Sequence, residues 1–255
     1  MARRPAELDS ANTPSMSEPP VELPIVLTAT VIPNVAGGAA ANPEMRLAEY
    51  RQVLQFCQQF APVIFLENSG YPLARHPEFT ETPRLRVRQF APSKNPERGK
   101  GYQEFEMLDA WLAAEPSPPA RWLKITGRYQ VLNLAAILAE GRVQKSPMII
   151  DQVARSRSAR TYLFCTDTEF YQRQMRGKFQ QCDDRTGEFI EKVLFREFQK
   201  TLSPEVCSFK TQPRISAVAG TSGANFPTGI FQWRVKQSLR WLNRLADKRR
   251  LWYSR

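Results

Sequence analysis

Lys124 and Arg128 share the short segment Leu123-Lys124-Ile125-Thr126-Gly127-Arg128-Tyr129, an apolar run that ends in a glycine turn. A strand of this kind delivers its charged residues near its carboxyl end, which is the ligand edge of an open α/β sheet. A guanidinium binds oxyanions through a two-pronged fork and a lysine adds a point charge, so the pair suits a phosphate-bearing substrate. The plainer reading is a strand that ends in solvated charges, and what precedes it in the chain decides between them.

Three more polar clusters follow expected strands: Pro33-Asn34, Glu67-Asn68-Ser69-Gly70 and Gly99-Lys100-Gly101-Tyr102. Parallel strands present such ends on one edge, so the four clusters are expected to converge on one crevice. Glycines beside Lys100 let backbone N–H groups approach an anion closely. The chain has neither GxxxxGK[ST] nor a GxGxxG after the first strand, so a P-loop and a dinucleotide fingerprint are excluded. Gly220-Thr221-Ser222-Gly223 is either a simple turn or a flexible loop at the substrate.

The elements that must position these residues follow from periodicity. Ile25 to Ile32 and Val63 to Leu66 are apolar on both faces, as buried parallel strands are. Leu85 to Phe90 alternates and reads as a third strand, and Trp122 to Thr126 as a fourth. Leu47, Tyr50, Val53, Leu54, Cys57 and Phe60 recur at helical spacing between Pro43 and Phe60. Phe105, Met107, Leu108, Trp111 and Leu112 do so between Gln103 and Ala114. The order β-α-β-β-α-β predicts a mostly parallel sheet with helices on both faces. Met148 to Ala154 and Thr161 to Cys165 read as a hairpin, Glu188 to Gln199 as a helix, and Arg214 to Val218 as a strand.

The 255 residues are 42% hydrophobic, enough for one large domain with a real core. Residues 1–23, rich in Pro, Ser, Ala and Glu, read as a disordered lead-in, 24–230 as the domain and 231–255 as a basic tail. There is no apolar segment after the first residues of the kind a secretory signal needs. Cys57, Cys165, Cys182 and Cys207 lack CxxC spacing, which argues against a zinc site or disulfide framework and fits a reducing cytoplasm. His76 is the sole histidine and sits in a loop-like stretch, which argues against a Ser-His-Asp triad and a His-rich metal centre.

The segments Thr28 to Pro33, Phe65 to Tyr71, Gly99 to Glu106 and Lys124 to Asn133 together resemble the motif series of bacterial surface-polysaccharide glycosyltransferases. Among these, the likeness is to the lipopolysaccharide-core and capsular enzymes that include Kdo-transferase-like proteins. It extends over about Pro24 to Gln199, and its specific parts are Lys-Gly-Tyr-x-Glu and Lys-Ile-Thr-Gly-Arg-Tyr. The resemblance implies a GT-A-like fold, a Rossmann-type sheet that holds a nucleotide-sugar across the strand ends. Thr28, Thr30, Pro33, Asn34, Glu67, Asn68 and Ser69 would hold base and ribose. Lys100, Gly101, Tyr102 and Gly127 would complete the donor site, with Lys100, Lys124 and Arg128 toward the phosphates. Such enzymes commonly carry Asp-x-Asp where this chain has Thr126-Gly127-Arg128. Mg²⁺ and Mn²⁺ need oxygen ligands, so protein cations are expected to replace the metal, and no cofactor is expected. The competing metal site is Asp167-Thr168-Glu169, for Mg²⁺ or Mn²⁺. Transfer to a hydroxyl also needs a base, and without a suitable histidine the candidates are Asp167, Glu169, Glu188 and Glu191. Glu191 is most like the acid of the family.

The net charge of +11 is concentrated at one end: from Phe231 to Arg255 eight cations face one acid, Asp247. Val235, Leu239, Leu242 and Leu245 form an apolar stripe edged by aromatics, the pattern of a basic amphipathic helix on an anionic membrane. The expected setting is therefore cytoplasmic, peripherally attached to the inner face of the cell membrane, with a lipid-linked or surface glycan as acceptor. The alternatives are a helix packed on the domain and, for the whole chain, a nucleic-acid-binding protein. The latter is disfavoured because no recognised binding motif accompanies the charge.

Overall fold

The computed structural model describes residues 22–33, 42–200, 205–216 and 229–253, with side chains through Leu242 in the last segment. Its elements in chain order are β1 (Ile25–Ala29), α1 (Pro43–Gln58), β2 (Val63–Glu67), β3 (Leu85–Gln89), α2 (Lys100–Ala114), β4 (Arg121–Thr126), β5 (Gln130–Val131), α3 (Leu134–Val143), β6 (Met148–Val153), β7 (Ser158–Asp167), α4 (Thr168–Gln174), α5 (Ile190–Lys200), β8 (Val206–Cys207), β9 (Ile215–Ser216) and α6 (Ile230–Tyr253).

β1 and β2 are buried at every residue, as their two apolar faces require. They lie in the sheet order β3-β2-β1-β4-β7-β6-β8. β3, β2, β1 and β4 are mutually parallel, with Ile25 opposite Val63 on one side and Leu123 on the other. β7 then runs antiparallel to both β4 and β6, and β8 is parallel to β6. The protein is thus mixed α/β around a mostly parallel seven-stranded sheet. Alternation along the strands divides the core. Ile25, Leu27, Leu123 and Ile125 pack with α1 and α3 on one face. Val26, Trp122 and Phe164 pack with α2, α4 and α5 on the other.

Local chemistry sets the element ends. Asn42 accepts a hydrogen bond from the Glu44 N–H at 2.9 Å and Pro43 occupies the first turn, which starts α1. β1 stops at Ala29 rather than running on to Ile32, because side chains take over the next amides. The N–H groups of Thr30, Val31 and Ile32 donate to Tyr50, Glu67 and Ser69 respectively. α2 begins at Lys100, a turn before the expected Gln103, so the Gly99 cluster is a helix start and not a strand end. α5 begins at Ile190 because Glu188 is held in an extended pair with Asp183. α3 and α4 carried no expectation from the sequence. The strand expected at Arg214 to Val218 is β9, which pairs with β5, while Val218 itself lies outside the described residues.

α6 is fixed to the domain along one stripe. The Trp233 indole donates to the Gln212 carbonyl at 2.6 Å, Gln237 accepts from the Gln212 N–H, and Arg240 forks onto Asp151 at 2.8 and 2.7 Å. Among the described residues no helix is long and apolar enough to cross a membrane. All four cysteines are free thiols; Cys57, Cys165 and Cys182 are buried and Cys207 is half-buried.

Candidate functional site

The strand order changes direction at β1: β2 and β3 lie to one side and β4 to the other. Such a switch point leaves a crevice beyond the carboxyl ends of the strands. A cleft of about 370 Å³ occupies it, over the ends of β1 and β4 and between α1 and α2. Because β7 runs antiparallel, it contributes its first residues, Ser158 to Tyr162, to the same edge.

Cations line one part of this cleft. Arg46 on α1 is anchored to the Thr30 carbonyl through Nε at 2.9 Å. Lys100 opens α2, and Arg128 projects from the turn after β4 with one nitrogen 2.9 Å from Glu49. Burial lowers the Lys100 pKa, and repulsion from Arg46 and Arg128 lowers it further, against the pull of Asp184. That mutual repulsion is what a bound anion would relieve. Gly99 permits the tight entry into α2: its φ is +106°, and an added Cβ would fall 2.0 Å from the Asp184 carboxylate.

Carboxylates and hydroxyls form the floor. Glu104, one turn along α2 from Lys100, accepts from the Thr28 and Thr126 hydroxyls and pairs with Lys124 at 2.7 Å, all through one oxygen. Glu191, in the first turn of α5, accepts from the Thr161 hydroxyl at 3.1 Å. Burial raises its carboxyl above the ordinary range, and Glu104 adds to the rise. Its own backbone N–H, Thr161 and Lys124 oppose it. Glu191 reaches the cleft because α5 begins hard against Gly101, where an added Cβ would lie 2.5 Å from Ile190 Cγ2. The Tyr129 and Tyr162 rings, 5.6 Å apart edge to face, form an aromatic wall.

Of the residues expected from sequence, Thr28, Thr30, Pro33, Lys100, Gly101, Arg128 and Glu191 line this cleft. Lys124 requires correction. It is fully buried beneath the floor, bonded to the Thr126 hydroxyl at 2.8 Å, the Thr161 carbonyl at 2.9 Å and Glu104, with its pKa lowered by that burial. The cause is strand alternation: Lys124 shares the inward face of Trp122, two residues short of the strand end. Glu67, Asn68 and Ser69 brace the loop after β1. Glu67 accepts from the N–H groups of Val31 and Ser69, and Asn68 accepts from the Thr30 hydroxyl. Tyr102 points away from the cleft, packed on Phe179 and beneath Arg98. Gly127 lets the β4 turn close onto β1, its N–H 2.9 Å from the Thr28 carbonyl. Asn34 and the Gly220 loop lie outside the described residues.

The remaining acids are elsewhere. Asp167 pairs with Arg121 at 2.6 Å at the far edge of the sheet, since the antiparallel course of β7 carries its end away from the cleft. Glu169 is 90% exposed beside Arg173. Glu188 pairs with Arg196 on the surface. Among the described residues no three His, Cys, Asp or Glu side chains are grouped to hold a metal ion. Arg46, Arg160, Thr161 and Asp184 line the cleft without having been expected there, as do Tyr50, expected only as a buried helix residue, and Glu104, which closes the Lys-Gly-Tyr-x-Glu motif but was given no role. A signal for one existed: Lys100, Glu104 and Met107 follow the i, i+4, i+7 rule on one face of α2.

No protein-family model matches the chain, and no curated protein matches it. Solved structures do align. HddC from Yersinia pseudotuberculosis gives a TM-score of 0.42 at 11% identity over 78% of this chain and 95% of that one. The galactosyltransferase LgtC, solved with donor and acceptor sugar analogues, gives 0.49 at 8% over 74% of each chain. The inositol-1-phosphate CTP transferase from T. maritima gives 0.44 at 10% over 73% of this chain and 85% of that one. At these values no residue's role is transferred from them.

Proposed function

We propose that the protein is a GT-A-like glycosyltransferase that moves a sugar from a nucleotide-sugar to a hydroxyl acceptor. The observation that carries the reading is the joint presence, in one switch-point cleft, of Arg46, Lys100 and Arg128 with a carboxylate, Glu191, whose proton affinity is raised. In the reaction the acceptor hydroxyl gives its proton to the Glu191 carboxylate as its oxygen bonds to the sugar's anomeric carbon. The bond from that carbon to the phosphate oxygen breaks, and the electron pair leaves with the nucleotide. Arg46, Lys100 and Arg128 stabilise that departing charge, so the proposed transfer runs without a metal. Tyr129 and Tyr162 offer apolar surface for a base or sugar ring. Lys124 acts from beneath, holding Glu104 and through it the hydroxyls of Thr28 and Thr126. The acceptor in this reading is a lipid-linked glycan of surface-polysaccharide synthesis.

A thermal-shift screen of the full chain with CMP, UDP, GDP and their sugars tests it, in EDTA and again with Mn²⁺. Preferential stabilisation by one nucleotide in EDTA is the expected result, since a ligand stabilises the state that binds it. Indifference to every nucleotide would sink the reading, and binding that needs Mn²⁺ would sink its metal-free part.

A further inference from the structure

The stripe that fixes α6 to the domain, Trp233, Gln237 and Arg240, lies on one side of the helix. With 3.6 residues per turn, the opposite side must carry Phe231, Val235, Leu239 and Leu242. These four are between 44% and 76% exposed. Arg234 and Lys236 are exposed on the two flanks of the stripe, and no acidic residue occurs between Ile230 and Leu242. Aliphatic and aromatic side chains turned to water, edged by the neutral Ser238 and Gln232 and then by cations with no acid, complement a surface that is apolar within and anionic at its boundary. The anchor of the helix is close to the cleft: Asp151 and Arg240 both act electrostatically on Tyr162, a lining residue.

We propose that the outward stripe of α6 seats on an anionic lipid bilayer, with the apolar residues below the headgroups and Arg234 and Lys236 on lipid phosphates. Docking through the opposite stripe holds the cleft beside that bilayer, within reach of a substrate carried on a lipid. The proposal stands on α6 alone and does not depend on which transfer the cleft performs.

The test is co-sedimentation of the full chain with vesicles of phosphatidylcholine alone or mixed with phosphatidylglycerol. Binding is expected to be stronger on the mixed vesicles by about tenfold or more, and to weaken with added salt. Val235→Glu with Leu239→Glu is expected to abolish the preference while leaving the melting temperature unchanged, because both positions are exposed. Three results would overturn the proposal: equal partitioning to both vesicles, a dimer in solution that the double variant disperses, or binding to RNA that outcompetes the anionic vesicles.

Discussion

Glu191 is the residue at which acid-base chemistry and stability pull in opposite directions. Its carboxyl is raised by burial and by Glu104, so the folded chain holds the proton more tightly than the unfolded chain. Its contribution is therefore fully favourable below the ordinary carboxylate range and is lost as pH rises through the raised value. Glu191→Gln removes this penalty, and at neutral pH the variant is expected to melt higher than the parent. Turnover should nonetheless fall by about 10²- to 10⁴-fold, the usual worth of a general base, whereas Glu188→Gln should leave it intact. Melting curves across pH beside rate measurements check both halves; a variant that loses stability and turnover together would mark Glu191 as structural. The choice of Glu191 over its neighbours rested on a family likeness, while periodicity alone left Glu188 its equal. What separates them is an extended pairing between Asp183 and Glu188 that keeps Glu188 out of the helix. Lys124 shows the opposite case. Its identity is plain in the sequence, but its direction depends on which face of β4 meets α2. A lysine that ends up fully desolvated holds its place only with a carboxylate beside it, and Glu104 supplies that at 2.7 Å.

At the scale of elements, the approach of α5 to α2 sets the depth of the cleft. Gly101→Ala would drive a methyl into Ile190, with a Cβ 2.5 Å from Cγ2. The expected cost is about 1–3 kcal/mol, as for overpacking elsewhere. The start of α5 would be pushed outward, carrying Glu191 with it, so the acid-base step should suffer more than nucleotide binding. Urea unfolding, rate measurements and nucleotide titration together would show whether stability and turnover fall while affinity holds; an unchanged turnover would mean α5 does not position Glu191. β1 to β4, α1 and α2 were legible in the sequence because each buries a continuous or regularly spaced apolar set. The hairpin of β6 and β7 was legible too, but the antiparallel pairing of β7 with β4 was not, since it joins residues about forty positions apart and leaves no local trace. That one reversal explains two misplacements at once. It removes Asp167 from the cleft and brings in Thr161 and Tyr162, which no motif had marked.

Over the whole molecule, charge and thiols are both unevenly placed. The basic excess resides in α6, and the sequence showed this directly; which side of that helix faces outward became readable only from its docking on Gln212 and Asp151. The buried thiols have a practical consequence. Burial pushes Cys57, Cys165 and Cys182 up to about 12, so at neutral pH almost none of each is thiolate while the fold is closed. An alkylating reagent should therefore mark Cys207 first and reach the others only as the chain opens around them. Cys57 reports on one side of the sheet, and Cys182 on the side that carries Asp184 at the cleft rim. Mass spectrometry of the labelled peptides thus gives a spatially resolved clock, and a nucleotide held between α1 and α2 should slow the ticking at Cys182 more than at Cys57.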